Sequence, residues 1–141
     1  MDFFDKLVRF ETALWNAIEK ALLLSDLPGL ATLQALRVLQ RYEGAGRVHD
    51  LSRELAITIG AASKLVDRLE RGGLAVRRPH PDDRRSSLVS LSPSGERARV
   101  AGEEVARRSV SHLLGESVDV EPVSSALTRL QAQLDSATVG A

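Results

Sequence analysis

The chain has 141 residues, 19 basic and 19 acidic side chains, and no cysteine. Its length suits one compact domain with a modest core, too small for a catalytic framework beside a separate cofactor domain. Without cysteine there is no disulfide framework, no thiolate zinc cluster and no thiol redox sensing.

The zero net charge conceals a segregation. Residues 47–99 hold 11 basic against 7 acidic side chains, an excess of +4 that the remainder of the chain balances with −4. Phosphate binding depends on the local field, so the centre of the chain reads as a cationic surface. The opening Met1-Asp2-Phe3-Phe4-Asp5 is acidic and lacks the basic-then-apolar plan of an export signal. No apolar run approaches the roughly 20 residues that span a bilayer. The expectation is a cytoplasmic protein with no membrane partner.

In chain order, Leu7, Val8, Leu14, Trp15, Ile18 and Leu22 form a 3.6-residue stripe on one long helix that ends before Ser25-Asp26-Leu27-Pro28-Gly29. Leu33, Leu36, Leu39 and Tyr42 carry a second helix, stopped by Gly44-Ala45-Gly46. A short helix over 49–55 has Asp50 in its opening turn, where the helix dipole favours an anion, and His49 beside it reads as a local cap. The next helix is capped by Thr58 and ends at Gly72-Gly73, one of which takes the left-handed conformation. Leu74 to Arg78 and Leu88 to Leu91 are two strands joined by Pro79-His80-Pro81-Asp82-Asp83-Arg84-Arg85, a wing. Ser92-Pro93 is an N-cap with proline at the first helical position, opening a charged helix to about Leu114, and a last helix over 122–138 repeats Val123, Leu127, Leu130 and Leu134.

The fold class is therefore mainly α with a small two- to three-stranded β-wing. One domain over 1–141 places a winged helix-turn-helix at 30–92 between helices at 1–28 and 93–141. The apolar stripes of the terminal helices have no obvious partner inside one small domain, and a second copy of the chain is the economical cover. An isologous homodimer presents two recognition helices to a pseudo-palindrome.

On the second short helix, Ala62, Leu65, Val66 and Leu69 share one face and belong to the core. The opposite face and first turn then offer Thr58, Gly60, Ala61, Ser63 and Lys64 to a major groove, with Arg68 further along for the backbone. Small residues allow close approach, and an alanine methyl can meet a thymine methyl. An ordinary solvated face, with Asp67 and Glu70 balancing Lys64, Arg68 and Arg71 at helix-pair spacing, is the competing reading. The wing shifts the balance, since exposed Arg84 and Arg85 at a hairpin tip have no core role. Asp83 is placed to fix the Arg85 guanidinium by a charge-assisted bond and aim it into a minor groove, while Ser86 and Ser87 add phosphate contacts.

These residues carry a resemblance. Leu51-Ser52-Arg53-Glu54-Leu55, then Ala61 through Leu74, then Asp83-Arg84-Arg85 and Val89-Ser90-Leu91-Ser92 to Gly95 resemble the multiple-antibiotic-resistance regulator (MarR) family. Its wing signature, Asp-Arg-Arg followed by Val-x-Leu-Thr-x-x-Gly, is met everywhere except at Ser92. The resemblance implies a homodimeric winged-helix regulator of transcription, usually a repressor, released by a small aromatic or phenolic compound bound between the dimer helices and the reading head. Ser52 and Ala56 depart from the alanine and glycine that the family often has there.

Other chemistry finds little support. His80 with Asp82 and Asp83, and His112 with Glu116, fall short of three convergent metal ligands. Gly44-Ala45-Gly46 lacks the third glycine and lysine of a phosphate-cradling loop, and no nucleophile elbow or Ser-x-x-Lys pair occurs. No cofactor, metal or enzymatic activity is expected. For an aromatic effector, Trp15 and Tyr42 are the candidate walls, with Arg37, Arg41 or His49 as anion partner. The reading is a ligand-responsive repressor that binds double-stranded DNA at an inverted repeat. The rival from another class is a winged-helix module whose arginines serve an acidic protein.

Overall fold

Residues 2–140 are described by the computed structural model; Met1 and Ala141, at the ends of the expected boundaries, lie outside them. The order is α1 (Asp2–Leu24), α2 (Leu30–Arg41), α3 (Val48–Glu54), α4 (Ile59–Arg71), β1 (Ala75–Pro79), β2 (Ser87–Leu91), α5 (Pro93–Leu114) and α6 (Glu121–Val139). This is a winged helix-turn-helix with flanking helices. The chain divides into two compact units, one running to Val110 and one from Ser111 onward.

Two apolar clusters organise the first unit. The larger joins Leu36 and Leu39 of α2, Leu51 of α3, Leu65, Val66 and Leu69 of α4, and Val89 of β2. The smaller joins Ile18 and Leu22 of α1 to Leu30 and Leu33 of α2, with Val105, Ala106 and Val110 of α5 against them. Gly102 makes that second packing feasible, since a Cβ there would come within 2.9 Å of the Leu33 side chain. The stripe of α1 is thus divided. Its C-terminal half closes within the protomer, contrary to the expectation that the whole stripe lacks a partner, because Leu30 and Leu33 continue the same apolar surface. Phe3, Phe4, Leu7 and Val8 remain exposed, as do Val123, Leu127, Leu130 and Leu134 of α6.

Local chemistry sets the helix ends. Gly29, the N-cap of α2, has no capping side chain, and Glu19 of α1 supplies one by accepting the Leu30 N–H at 2.6 Å. The carboxylate also sits where the helix dipole favours an anion. At α3 the cap is Arg47, whose backbone N–H donates to Asp50 Oδ2 at 3.0 Å; the helix starts at Val48, and His49 has no capping role. Three helices close in the same way. Leu27, Ile57 and Leu74 donate back to Leu22, Ser52 and Leu69, leaving Asp26, Ala56 and Gly73 at positive φ. This is the Schellman closure, which suits glycine and costs other residues. Of Gly72-Gly73 it is Gly73, at φ +69°, that takes the left-handed state.

The wing is an antiparallel pair running from Ala75 opposite Leu91 to Pro79 opposite Ser87, one residue off the expected start because Leu74 is spent on closing α4. A single bridge from Gly46 to Val89 adds a rudimentary third strand, with Val89 N–H donating to the Gly46 carbonyl at 2.7 Å. At the wing's exit Ser92 caps α5 by accepting the Gly95 N–H at 3.0 Å, and its hydroxyl donates to the Gly73 carbonyl. A Cβ at Gly95 would collide with the Leu74 carbonyl oxygen, so the start of α5 is pressed directly on the end of α4. Further along α5, Arg99 lies between Glu96 and Glu103, and the hydrogen bond it gives Glu96 holds that carboxyl below its usual range. Glu103 also reaches Arg37 of α2 at 3.3 Å.

Two substitutions test this framework in opposite directions. Ala56→Gly relieves a left-handed alanine at φ +52° and raises stability by up to about 1 kcal/mol. Gly95→Ala forces α5 off Leu74 and costs roughly 2 kcal/mol or more. Urea unfolding of both variants, with unchanged slopes, is the check.

Candidate nucleic-acid interface

Helix α4 has one face to spare. Ala62, Leu65, Val66 and Leu69 are buried, so Ala61, Lys64, Asp67, Arg68 and Arg71 are turned outward and border a shallow groove along the helix. Thr58 Oγ1 accepts the Ala61 N–H at 3.1 Å, the expected cap, and fixes the first turn. Gly60 is exposed, and a Cβ there would meet only Thr58 Oγ1 at 4.0 Å. Ser63 is half-buried at the margin of the outward face.

The acidic residues of this face are neutralised from outside the helix. Arg77 of β1 gives Nη2 to Asp67 at 2.7 Å and lays Nε 3.1 Å from Glu70. The expected balance within α4 is therefore corrected. Asp67 and Glu70 are spent on the wing, and Lys64 and Arg68 have no ion-pair partner among the described residues. The same pairs fasten the wing to α4, whose two elements also share the large apolar cluster.

At the wing tip Asp83, Arg84 and Arg85 are all exposed. Asp83 does not hold the Arg85 guanidinium as expected. Its Oδ1 accepts the backbone N–H of Arg85 at 2.9 Å, and its carbonyl accepts the Ser86 N–H at 3.1 Å. A short aspartate two residues upstream reaches a backbone amide at less entropic cost than a long mobile guanidinium. The carboxylate shapes the turn and leaves the arginine head free. Arg85, Ser86 and Ser87 border a hollow of about 310 Å³ whose other walls include Ile59, Arg47 and His49. The tip end of the wing and the first turn of the recognition helix thus meet at one place. Arg47, Ile59 and Arg77 went unread in the sequence; the alternation Val76-Arg77-Arg78, with Arg77 alone half-buried, was the available signal for the last.

Of the candidate effector residues, Trp15 and Arg37 share a cavity of about 520 Å³ floored by Leu14, Ile18 and Leu33. Trp15 also borders a second cavity of about 490 Å³, with Arg41 on one side and Ala61, Leu65 and Arg68 of α4 on the other. Tyr42 and His49 border neither. The Tyr42 hydroxyl accepts from Arg53 at 2.8 Å and donates to Glu54 at 3.1 Å, and its bond holds the Arg53 guanidinium above its usual pKa. His49 faces the hollow beneath the wing. Among the described residues no group of three histidine or carboxylate side chains is placed to hold a metal ion, and no helix is long and apolar enough to cross a membrane.

The model of the MarR family matches residues 25–86, from the turn before α2 to the wing tip. Over this segment the chain is similar to the MarR family. The multiple antibiotic resistance protein MarR of Salmonella typhimurium is 39% identical over 46 residues, a match spanning 33% of this chain and 32% of that protein. The chain thus aligns with about a third of the length of this relative. Among solved structures, BldR from Sulfolobus solfataricus superposes with a TM-score of 0.83 at 22% identity, covering 94% of both chains. CouR from Rhodococcus jostii RHA1, bound to p-coumaroyl-CoA, gives 0.80 at 23% identity over 93% of this chain and 90% of that one. A mutant MarR from E. coli complexed with operator DNA gives 0.76 at 21% identity over 92% of both. These likenesses show that the chain shares its winged-helix fold with those structures.

The cap of α4 is the accessible test of how the interface is built. Thr58→Ala lowers stability by about 1 kcal/mol and Thr58→Ser restores most of it, as read by urea unfolding.

Proposed function

We propose that this protein is a regulator of transcription that binds duplex DNA as a homodimer in the cytoplasm and acts as a ligand-responsive repressor rather than an enzyme. One observation carries the reading. On a winged helix whose acidic residues Asp67 and Glu70 are neutralised by Arg77, the outward cations Lys64, Arg68, Arg84 and Arg85 have no carboxylate partner among the described residues. Cations left unpaired on two adjoining exposed elements suit a polyanion.

In the proposed complex, α4 enters the major groove by its first turns. Thr58, Gly60, Ala61, Ser63 and Lys64 meet base edges and nearby phosphates, and Arg68 holds the backbone. Asp83 shapes the wing tip from which Arg84 and Arg85 reach a minor groove, and Ser86 and Ser87 add phosphate contacts. The exposed apolar residues of α1 and α6 supply the two-fold interface, which sets the spacing of the two helices. The relative bound to operator DNA and the one bound to p-coumaroyl-CoA support these roles by likeness of fold. An aromatic effector fits the cavities that share Trp15, one of which reaches Arg68 of α4. A ligand there acts by favouring one spacing of the recognition helices over another.

Sites selected from random duplexes should give a two-fold consensus with half-sites about one helical turn, roughly 34 Å, apart. On that site Arg85→Ala lowers the salt dependence of binding, and Lys64→Ala costs about 1–3 kcal/mol with relaxed sequence preference. Wild-type protein that binds acidic protein in a salt-sensitive way and no duplex would instead favour an interaction module.

The dimer has its own test. A chain ending at Gly115 lacks α6 and sediments as a monomer that binds the half-site poorly; a stable dimer would remove α6 from the interface.

A further inference from the structure

We infer that the hollow between the start of α3, the first turn of α4 and the tip end of the wing is the seat of one backbone phosphate of duplex DNA, gripped by Arg47, with His80 positioning the Arg47 side chain. The inference rests on the DNA-binding reading and adds two residues that lie outside the wing signature.

The donors around the hollow are numerous and its acceptors few. Arg47, Arg77, Arg85 and the hydroxyl-bearing Ser86 and Ser87 border it. Arg77 is committed to Asp67 and Glu70. Arg47 and Arg85 have no carboxylate within ion-pair distance among the described residues. Asp50, the acid nearest Arg47 in sequence, spends Oδ2 on the Arg47 backbone N–H and Oδ1 on Arg53. Two guanidinium groups without counterions, beside two hydroxyls, form a site for an anion with several oxygens, and a guanidinium fork matches two oxygens of a phosphodiester. Ile59, 57% exposed at the edge of the same hollow, offers the apolar surface that an adjoining deoxyribose meets. The position, where the helix that reads bases joins the wing that follows the backbone, is that of a register-fixing phosphate contact.

His80 holds Arg47 without neutralising it. The Arg47 Nη2 lies 2.6 Å from His80 Nε2, while His80 Nδ1 lies 3.1 Å from the backbone N–H of Asp82. A neutral imidazole has a single acceptor nitrogen, and here a donor faces each of its two nitrogens. The guanidinium is therefore kept over the hollow by a contested contact with an uncharged acceptor, which it surrenders to an anionic oxygen that accepts the same hydrogen bond and carries the opposite charge.

The test uses full-length protein and its selected duplex. Arg47→Ala, which keeps the backbone cap with Asp50 and so melts as wild type, should lower the salt slope by about one counterion per protomer. On duplexes carrying a single uncharged methylphosphonate at successive positions, it should lose sensitivity at one phosphate in each half-site. His80→Leu should reproduce this loss and add nothing in the double variant, whereas His80→Gln, which retains an acceptor, should preserve the wild-type slope. A wild-type slope and methylphosphonate pattern in Arg47→Ala, with Arg85→Ala still defective, would overturn the seat and leave the DNA reading intact. Stabilisation by inorganic phosphate that requires Arg47, with DNA binding unchanged, would assign the hollow to a free anion and likewise overturn it. No duplex binding by the wild type would remove both.

Discussion

The burial of Ala62, Leu65, Val66 and Leu69 on one side of α4 is the constraint from which the interface follows. Each of these side chains contributes on the order of 1 kcal/mol or more by leaving water, so together they fix the rotation of the helix about its axis. A helix so fixed cannot choose what it presents. Ala61, Lys64, Arg68 and Arg71 face outward because their neighbours in the 3.6-residue cycle face inward, and the wing is placed beside them by Val89, which is buried in the same cluster.

Electrostatics then divides the charges of this head into those that build it and those that remain at large. Arg77, Asp67, Glu70, Asp50 and Arg53 are consumed internally, joining wing to α4 and capping α3. Pairs this exposed contribute little stability individually. Their larger effect is on the potential of the surface, because with Asp67 and Glu70 both matched by Arg77, Lys64 and Arg68 in front have no ion-pair partner among the described residues. A chain of zero net charge thereby acquires a strongly cationic edge.

The features that were legible in the sequence are those decided within a few residues. Thr58 capping Ala61, Ser92 capping Gly95 and Gly73 turning left-handed each depend on spacing of three residues or fewer from a helix end, and the amphipathic phase of α4 depends on its own four apolar residues. Arg77 was not legible, since its pairing across ten residues with Asp67 depends on the register of the hairpin and the angle at which it leaves α4. Asp83 was misread because two acceptable donors, an amide and a guanidinium, lie within its reach, and only the turn geometry decides between them. The grouping of Tyr42 and His49 with Trp15 failed for a related reason. The end of α2 turns Tyr42 towards Arg53 and Glu54 of α3, a direction that periodicity alone does not specify across the intervening turn.

The joint at Ser92 and Gly95 has a mechanical corollary. With its hydroxyl on the Gly73 carbonyl and Gly95 seated on Leu74, the start of α5 has no slack against the end of the recognition helix. From Pro93 to Val110 the helix extends for roughly 25 Å at 1.5 Å per residue. Over such a lever arm, a rotation of the head by about 5° carried through the joint sweeps the distal turn through about 2 Å, comparable to the small helix shifts that switch regulated assemblies. The α4–α5 corner is thus a stiff crank, converting minor rotations of the head into displacements that packed side chains register.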